Sequence, residues 1–206
     1  MNNYNPNIHH RRSIRLKGYD YSKEGLYFIT ICVKDRECLF AKIINGKIDL
    51  NDAGRMIENE WLKIPDRFPN VQLHQYVIMP NHFHAIMEIT VGATLVVAHE
   101  NPVAHENDTN FNRATARVAP TITPTITPTI ALAVTVGCII GAFLSITTVE
   151  YIRGVKNHDW PSFNKKLWQR NYYEHIIRND QSYKRIADYI SNNPKNWNRD
   201  NFLGRK

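Results

Sequence analysis

His82 and His84 stand one residue apart in the run HFHAIMEI, and that spacing matters if the run is a β-strand. Side chains alternate along a strand, so both imidazoles leave one face while Phe83 turns to the other. Two converging imidazoles make half of a site for a divalent cation. The pair follows a corner at Pro80–Asn81 and lies in an otherwise apolar strand, where an ionisable group is costly to bury without a purpose. A second group sits in ADYISNNPKNW, where Tyr189 and Asn193 are four apart and share a helix face. A phenol hydroxyl beside an amide oxygen would place a nucleophile next to a further ligand. Periodicity alone leaves Tyr172, Tyr173 and Tyr183 equally open as that nucleophile. A third group is the run Trp168, Gln169, Arg170, Asn171, Tyr172 and Tyr173. Rings interleaved with cationic and amide groups suit single-stranded nucleic acid, in which bases stack and phosphates pair with cations.

These groups need elements to position them. Leu26–Val33 is rich in β-branched and aromatic residues and reads as a buried strand. A strand at Ala41–Ile44, an Asn45–Gly46 turn and KIDL make a hairpin. Asn51 or Asp52 caps a helix to about Arg67, striped by Met56, Ile57, Trp61 and Ile64, with Pro65 able to end it early. Gln75–Met79 and His82–Ile89 are two strands. A helix from about Cys138 to Arg153 turns Ile139, Phe143, Ile146 and Ile152 inward. After an aromatic and basic connector, Lys165–Arg178, Ser182 caps a last helix striped by Tyr183, Ile186 and Ile190, which Pro194 stops. This order predicts an α+β fold, an antiparallel sheet with helices packed on one face.

The chain has 206 residues, a formal net charge of +7, 43% hydrophobic and 22% charged residues. That is enough for one cored domain, and the basic excess favours a polyanionic partner. Three cysteines without a CxxC pair fit a reducing, cytoplasmic setting. The N-terminus lacks the apolar stretch of a secretory signal, and His9–Lys17 forms a basic arm. Between about 91 and 130 the chain repeats VAHEN and then Thr-Ile-Thr-Pro, which cannot build a packed element, so an insertion is expected there. The repeat accounts for His99 and His105. Ile130–Val149 carries no charge and has the length of a membrane span, yet its small and hydroxylated residues favour a core helix, and no membrane partner is expected.

The blocks MPNHFHAIMEI, IGAFLSITTVEYIRG, KLWQRNYYEHIIRND and ADYISNNPKNW occur in order, behind RSIRLKGYDYSKEGLYFITICVKDRECLF. Together they resemble the REP-associated tyrosine transposases, a branch of the HUH single-tyrosine transposases, in which U is a hydrophobic residue. The resemblance covers most of the chain outside the repeats. It implies a ferredoxin-like sheet and a catalytic domain over 26–206 behind a basic arm at 1–25. It further implies His82 and His84 as metal ligands, Asn193 as the third, Mg²⁺ or Mn²⁺ as the metal, and Tyr189 as nucleophile. Hairpin-forming single-stranded DNA would be the substrate. Arg11, Arg12, Arg15 and Lys17 of the arm would contact it, with Trp168, Gln169 and Arg170 from the aromatic segment. The chain would act as a monomer or homodimer. A DNA-hairpin-binding protein without catalysis and a phosphodiesterase acting through water are the alternatives.

Overall fold

The structure is a computed structural model, and it describes residue 16 and residues 18–90 and 134–199. The expected insertion and Arg11, Arg12, Arg15 and Lys17 lie outside the described residues. Six strands and four α-helices follow in the order β1 (Gly25–Cys32), β2 (Ala41–Ile44), β3 (Lys47–Leu50), α1 (Asp52–Leu62), α2 (Ile64–Arg67), β4 (Val71–Met79), β5 (His82–Ile89), α3 (Val136–Asn157), β6 (Tyr173–Ile177) and α4 (Asp180–Asn192). A 3-10 turn over Pro194–Arg199 closes the described chain.

The main sheet has the order β4-β5-β1-β6, and each pair is antiparallel. With the β2–β3 hairpin set aside, the chain runs βαββαβ, the split-βαβ layout of a ferredoxin-like fold. The hairpin turns at Asn45 and Gly46, whose φ values of 51° and 72° are both in the left-handed region a type I′ turn requires. Asn51 begins α1 by accepting from Gly54 N at 2.9 Å, while its own amide donates to the Leu39 carbonyl. Gly54 lies so close to the hairpin's approach that a Cβ would fall 2.2 Å from the Phe40 carbonyl oxygen.

Alternation along β1 and β5 divides the core in two. Tyr27, Ile29 and Ile31 with Phe83, Ala85 and Met87 face α1 and α3. There Trp61, Phe83 and Phe143 meet edge to face or tilted at 4.8–5.7 Å. Each ring of that size contributes about 1.5–3 kcal/mol on full burial. Phe28, Val77, Met79 and Ile86 face the other way, against Ile186 and Ile190 of α4. Helices therefore cover both faces: α1 and α3 follow the expectation of a single layer, and α4 crosses the opposite side.

By length and composition α3 could cross a membrane. In the fold it buries Ile139, Ile140, Phe143, Thr147 and Tyr151, while Ile152, expected to face inward, is exposed. The connector expected over Lys165–Arg178 contains β6, the fourth strand of the sheet. Asn179, not Ser182, caps α4, accepting from Ser182 N at 2.8 Å.

Candidate functional site

Register brings the site together on the α4 face. Cys32 pairs with His82, Thr30 with His84 and Phe28 with Ile86, and directly paired residues of antiparallel strands share a face. His82 and His84 are thus neighbours on the sheet, their ring centroids 4.6 Å apart. Both are buried, at 0% and 1% exposure.

Each imidazole is held from behind through Nδ1. Asn81 Nδ2 donates to the Arg36 carbonyl at 3.1 Å, which fixes the orientation of the amide. Its Oδ1 then faces His82 Nδ1 at 2.8 Å and can only accept, so the proton of a neutral His82 sits on Nδ1. The lone pair on Nε2 is left toward the site. Thr30 Oγ1 lies 2.8 Å from His84 Nδ1 and holds that ring from behind, with a hydroxyl able to donate or accept. Fixing a ligand's tautomer through its second nitrogen is how metal-binding histidines are commonly oriented.

Burial keeps both rings neutral. It pushes His82 down to about 2, helped by His84 and Arg36 nearby, and it pushes His84 down to about 3. The unfolded histidines therefore take up protons that the folded ones do not, so stability is present at neutral pH and falls as pH drops below the ordinary value of about 6.5. In metal-free buffer each histidine should cost about 2 kcal/mol by about pH 5. The thermal midpoint should drop accordingly between neutral pH and pH 5, and the slope should flatten in the His82→Gln/His84→Gln double variant.

α4 supplies the remaining groups. The Tyr189 hydroxyl lies 3.2 Å from His84 Nε2, and the phenol is 44% exposed, so it faces both the histidines and solvent. One turn on, Asn193 is buried at 3% exposure, and its Oδ1 makes no hydrogen bond of ordinary geometry, although its side chain lies close enough to His82 to act on that ring. A buried amide oxygen is expensive to leave unsatisfied. An oxygen acceptor here, beside the Nε2 atoms of two neutral imidazoles, fits a divalent cation. Among the described residues no three of His, Cys, Asp and Glu converge, so a third protein ligand has to be of another type. Trp197 stacks near His82 at 6.1 Å from beyond the helix, and Phe28 stacks on His84 at 5.4 Å from the floor.

The sequence candidates thus separate. His82, His84, Tyr189 and Asn193 come together. Trp168 does not join them and is corrected to a core residue. It is 6% exposed, packs on Phe40, and its indole Nε1 donates to Thr147 Oγ1 at 3.0 Å on the α3 side. Gln169 donates its backbone N–H to the Cys32 carbonyl and is partly exposed, and Arg170 is exposed. Thr30, Asn81 and Phe28 join the site without a signal of their own in the sequence. Their parity in the strands is visible there, but the pairing register that sets them behind the histidines is not.

No family model matches the chain. It is 41% identical over 200 residues to an uncharacterized protein of Haemophilus influenzae, covering 96% of this chain and 95% of that one. It is 23% identical over 183 residues to a second Haemophilus influenzae protein, named "Putative REP-associated tyrosine transposase", over 85% of this chain and 73% of the other. That named relative agrees with the resemblance the sequence blocks carry. A solved REP-associated tyrosine transposase bound to a REP hairpin superposes with TM-score 0.49 at 18% identity, over 89% of this chain and 74% of that one. The chain carries the two histidines on β5 and the tyrosine on α4.

Asn81→Ala should free the His82 ring without touching its Nε2. Loss of such a support typically lowers metal affinity by about 10–100-fold. Calorimetric titration with Mn²⁺ should show that loss, with secondary structure unchanged by circular dichroism.

Proposed function

We propose that the chain is a single-stranded DNA endonuclease and strand transferase acting on hairpin-forming DNA, with Tyr189 as its nucleophile. The observation that carries this reading is the Tyr189 hydroxyl at 3.2 Å from His84 Nε2, with Asn193 buried one turn further along the same helix. A scissile phosphate brought to the histidines meets the phenol oxygen at once. His82, His84 and Asn193 would hold a divalent cation, Mg²⁺ or Mn²⁺, which supplies neutralisation of charge on the phosphate oxygens.

The step is a transesterification. Tyr189 Oη forms a bond to phosphorus and gives up its phenolic proton to solvent, to which it is open. The bond from phosphorus to the 3′ oxygen breaks, and that oxygen leaves as a 3′-hydroxyl after taking a proton. The product is a 5′-phosphotyrosine. A 3′-hydroxyl attacking that link restores the phosphodiester and the phenol, so rejoining needs no external energy source.

Phe28 lies edge to face against Tyr189 at 6.2 Å and supports the ring without a polar contact that would compete for the hydroxyl. In this reading the basic arm with Arg11, Arg12, Arg15 and Lys17, together with Gln169 and Arg170, contacts DNA. The protein works in the cytoplasm as a monomer or homodimer. Incubating labelled hairpin DNA with the protein and Mg²⁺ or Mn²⁺ tests the reading. A denaturation-resistant protein–DNA adduct is expected, and binding without an adduct under either metal would leave only a hairpin-binding protein.

A further inference from the structure

α4 packs over β4 and β5 and leaves part of the β1–β6 half of the same sheet face open. Tyr173 pairs with Thr30 and His175 with Phe28, so both β6 side chains rise on the face that carries His84. Along β6 and the start of α4 runs a cleft of about 580 Å³, bordered by Tyr173, His175, Arg178, Gln181 and Arg185 and, at the edge of the sheet, by Leu16, Tyr21 and Ile176. That is within the roughly 300–1,000 Å³ range of small-molecule sites. The first five side chains are exposed, and neither Arg178 nor Arg185 has an ion pair among the described residues. Glu174 also borders the cleft, but its position opposite Ile29 turns its carboxylate toward the other face.

Phe28 links the wall of the cleft to the candidate active site, although it does not line the cleft itself. Phe28 meets His84 at 5.4 Å, Tyr189 at 6.2 Å and Tyr173 at 6.5 Å, so one ring joins the nucleophile to the cleft wall. Arg185 is four residues before Tyr189 and projects from the same face of α4. Tyr173 is half exposed although it stands on a buried sheet face, and its open ring offers a surface for a base.

We infer that this cleft seats the nucleotide next to the scissile phosphate, with its base stacked on Tyr173 and its backbone phosphate held by Arg178 and Arg185. The inference rests on the reading of Tyr189 as a DNA nucleophile and adds a positioning function that neither histidine nor tyrosine supplies. A strand lying across Phe28 would be gripped on one side of the cut, which holds the phosphate in line with the phenol oxygen.

The test uses the full chain and a short fluorescein-labelled oligothymidylate, followed by fluorescence anisotropy across a salt series. Tyr173→Ala should weaken binding about fivefold or more, the lower end of what one stacked base contributes, whereas Tyr173→Phe should stay within about twofold. The Arg178→Ala/Arg185→Ala variant should reduce the slope of log K against log salt by about 0.7, the contribution of the one single-strand phosphate that the pair neutralises. Adduct formation on hairpin DNA is measured beside it with the parent protein. If the variants bind like the parent with the same salt slope while the parent forms its adduct, the cleft is not a nucleotide subsite and the reading of Tyr189 stands. If the parent neither binds the oligonucleotide nor forms an adduct, both fall.

Discussion

Tyr189→Phe is expected to eliminate the covalent adduct and to lower strand cleavage by on the order of 10⁴ to 10⁶-fold, the range seen when a covalent enzyme loses its attacking group. The change removes one oxygen and little else. Tyr189 is 44% exposed, and its ring contacts, to Phe28 and His84, survive in phenylalanine. Stability should therefore move by less than about 0.5 kcal/mol, as for most exposed positions. Hairpin binding should also persist, because the hydroxyl is not among the groups expected to hold DNA. A Tyr189→Phe protein that binds hairpin DNA as the parent does yet forms no adduct separates chemistry from recognition. Water-mediated hydrolysis predicts the reverse, with cleavage largely retained.

The second large effect concerns the cation. His84→Ala takes away an imidazole whose Nε2 lies toward Tyr189 and whose Nδ1 is tied to Thr30. Removing the ligand itself should exceed the roughly 10–100-fold loss expected from removing a support behind a ligand. Calorimetric titration with Mn²⁺ should therefore show a loss greater than that of Asn81→Ala, with adduct formation lost in parallel. Thr30→Val is the companion variant: it keeps the volume and removes the hydroxyl, so it should resemble Asn81→Ala rather than His84→Ala. Unchanged Mn²⁺ affinity in His84→Ala would remove the cation from this site.

Much of the site is legible in the residue pattern alone, for reasons that differ residue by residue. His82 and His84 stand out because a strand's alternation is strict, so a spacing of two already implies a common face. Asn193 follows from Tyr189 by helical spacing. The choice of Tyr189 over Tyr172, Tyr173 and Tyr183 does not come from periodicity; the family resemblance makes it, and the structure sets this hydroxyl against His84. Tyr183 instead donates to Gln75 at 2.7 Å, away from the histidines. β6 is hidden because its five residues, YEHII, lie in an aromatic and basic run that reads equally well as a connector. With β6 hidden, Tyr173 and His175 are hidden too as members of the sheet face. Trp168 misleads because composition cannot distinguish a ring offered to a base from one buried on Thr147 and Phe40. The second helical layer escapes for a related reason. An apolar stripe shows that a helix is covered, and only the connectivity decides which face of the sheet covers it.

The most direct measurement is the residue that carries the DNA. The four candidate tyrosine positions divide cleanly on trypsin cleavage: Tyr172 and Tyr173 fall in NYYEHIIR, Tyr183 in NDQSYK, and Tyr189 alone in IADYISNNPK. After reaction of the full chain with hairpin DNA and Mn²⁺, nuclease trimming and tryptic digestion, mass spectrometry should find the nucleotide mass on IADYISNNPK. Tandem fragmentation should place it on the tyrosine. The same mass on NYYEHIIR or NDQSYK, or an adduct that persists in Tyr189→Phe, would contradict the assignment of the nucleophile to α4's Tyr189.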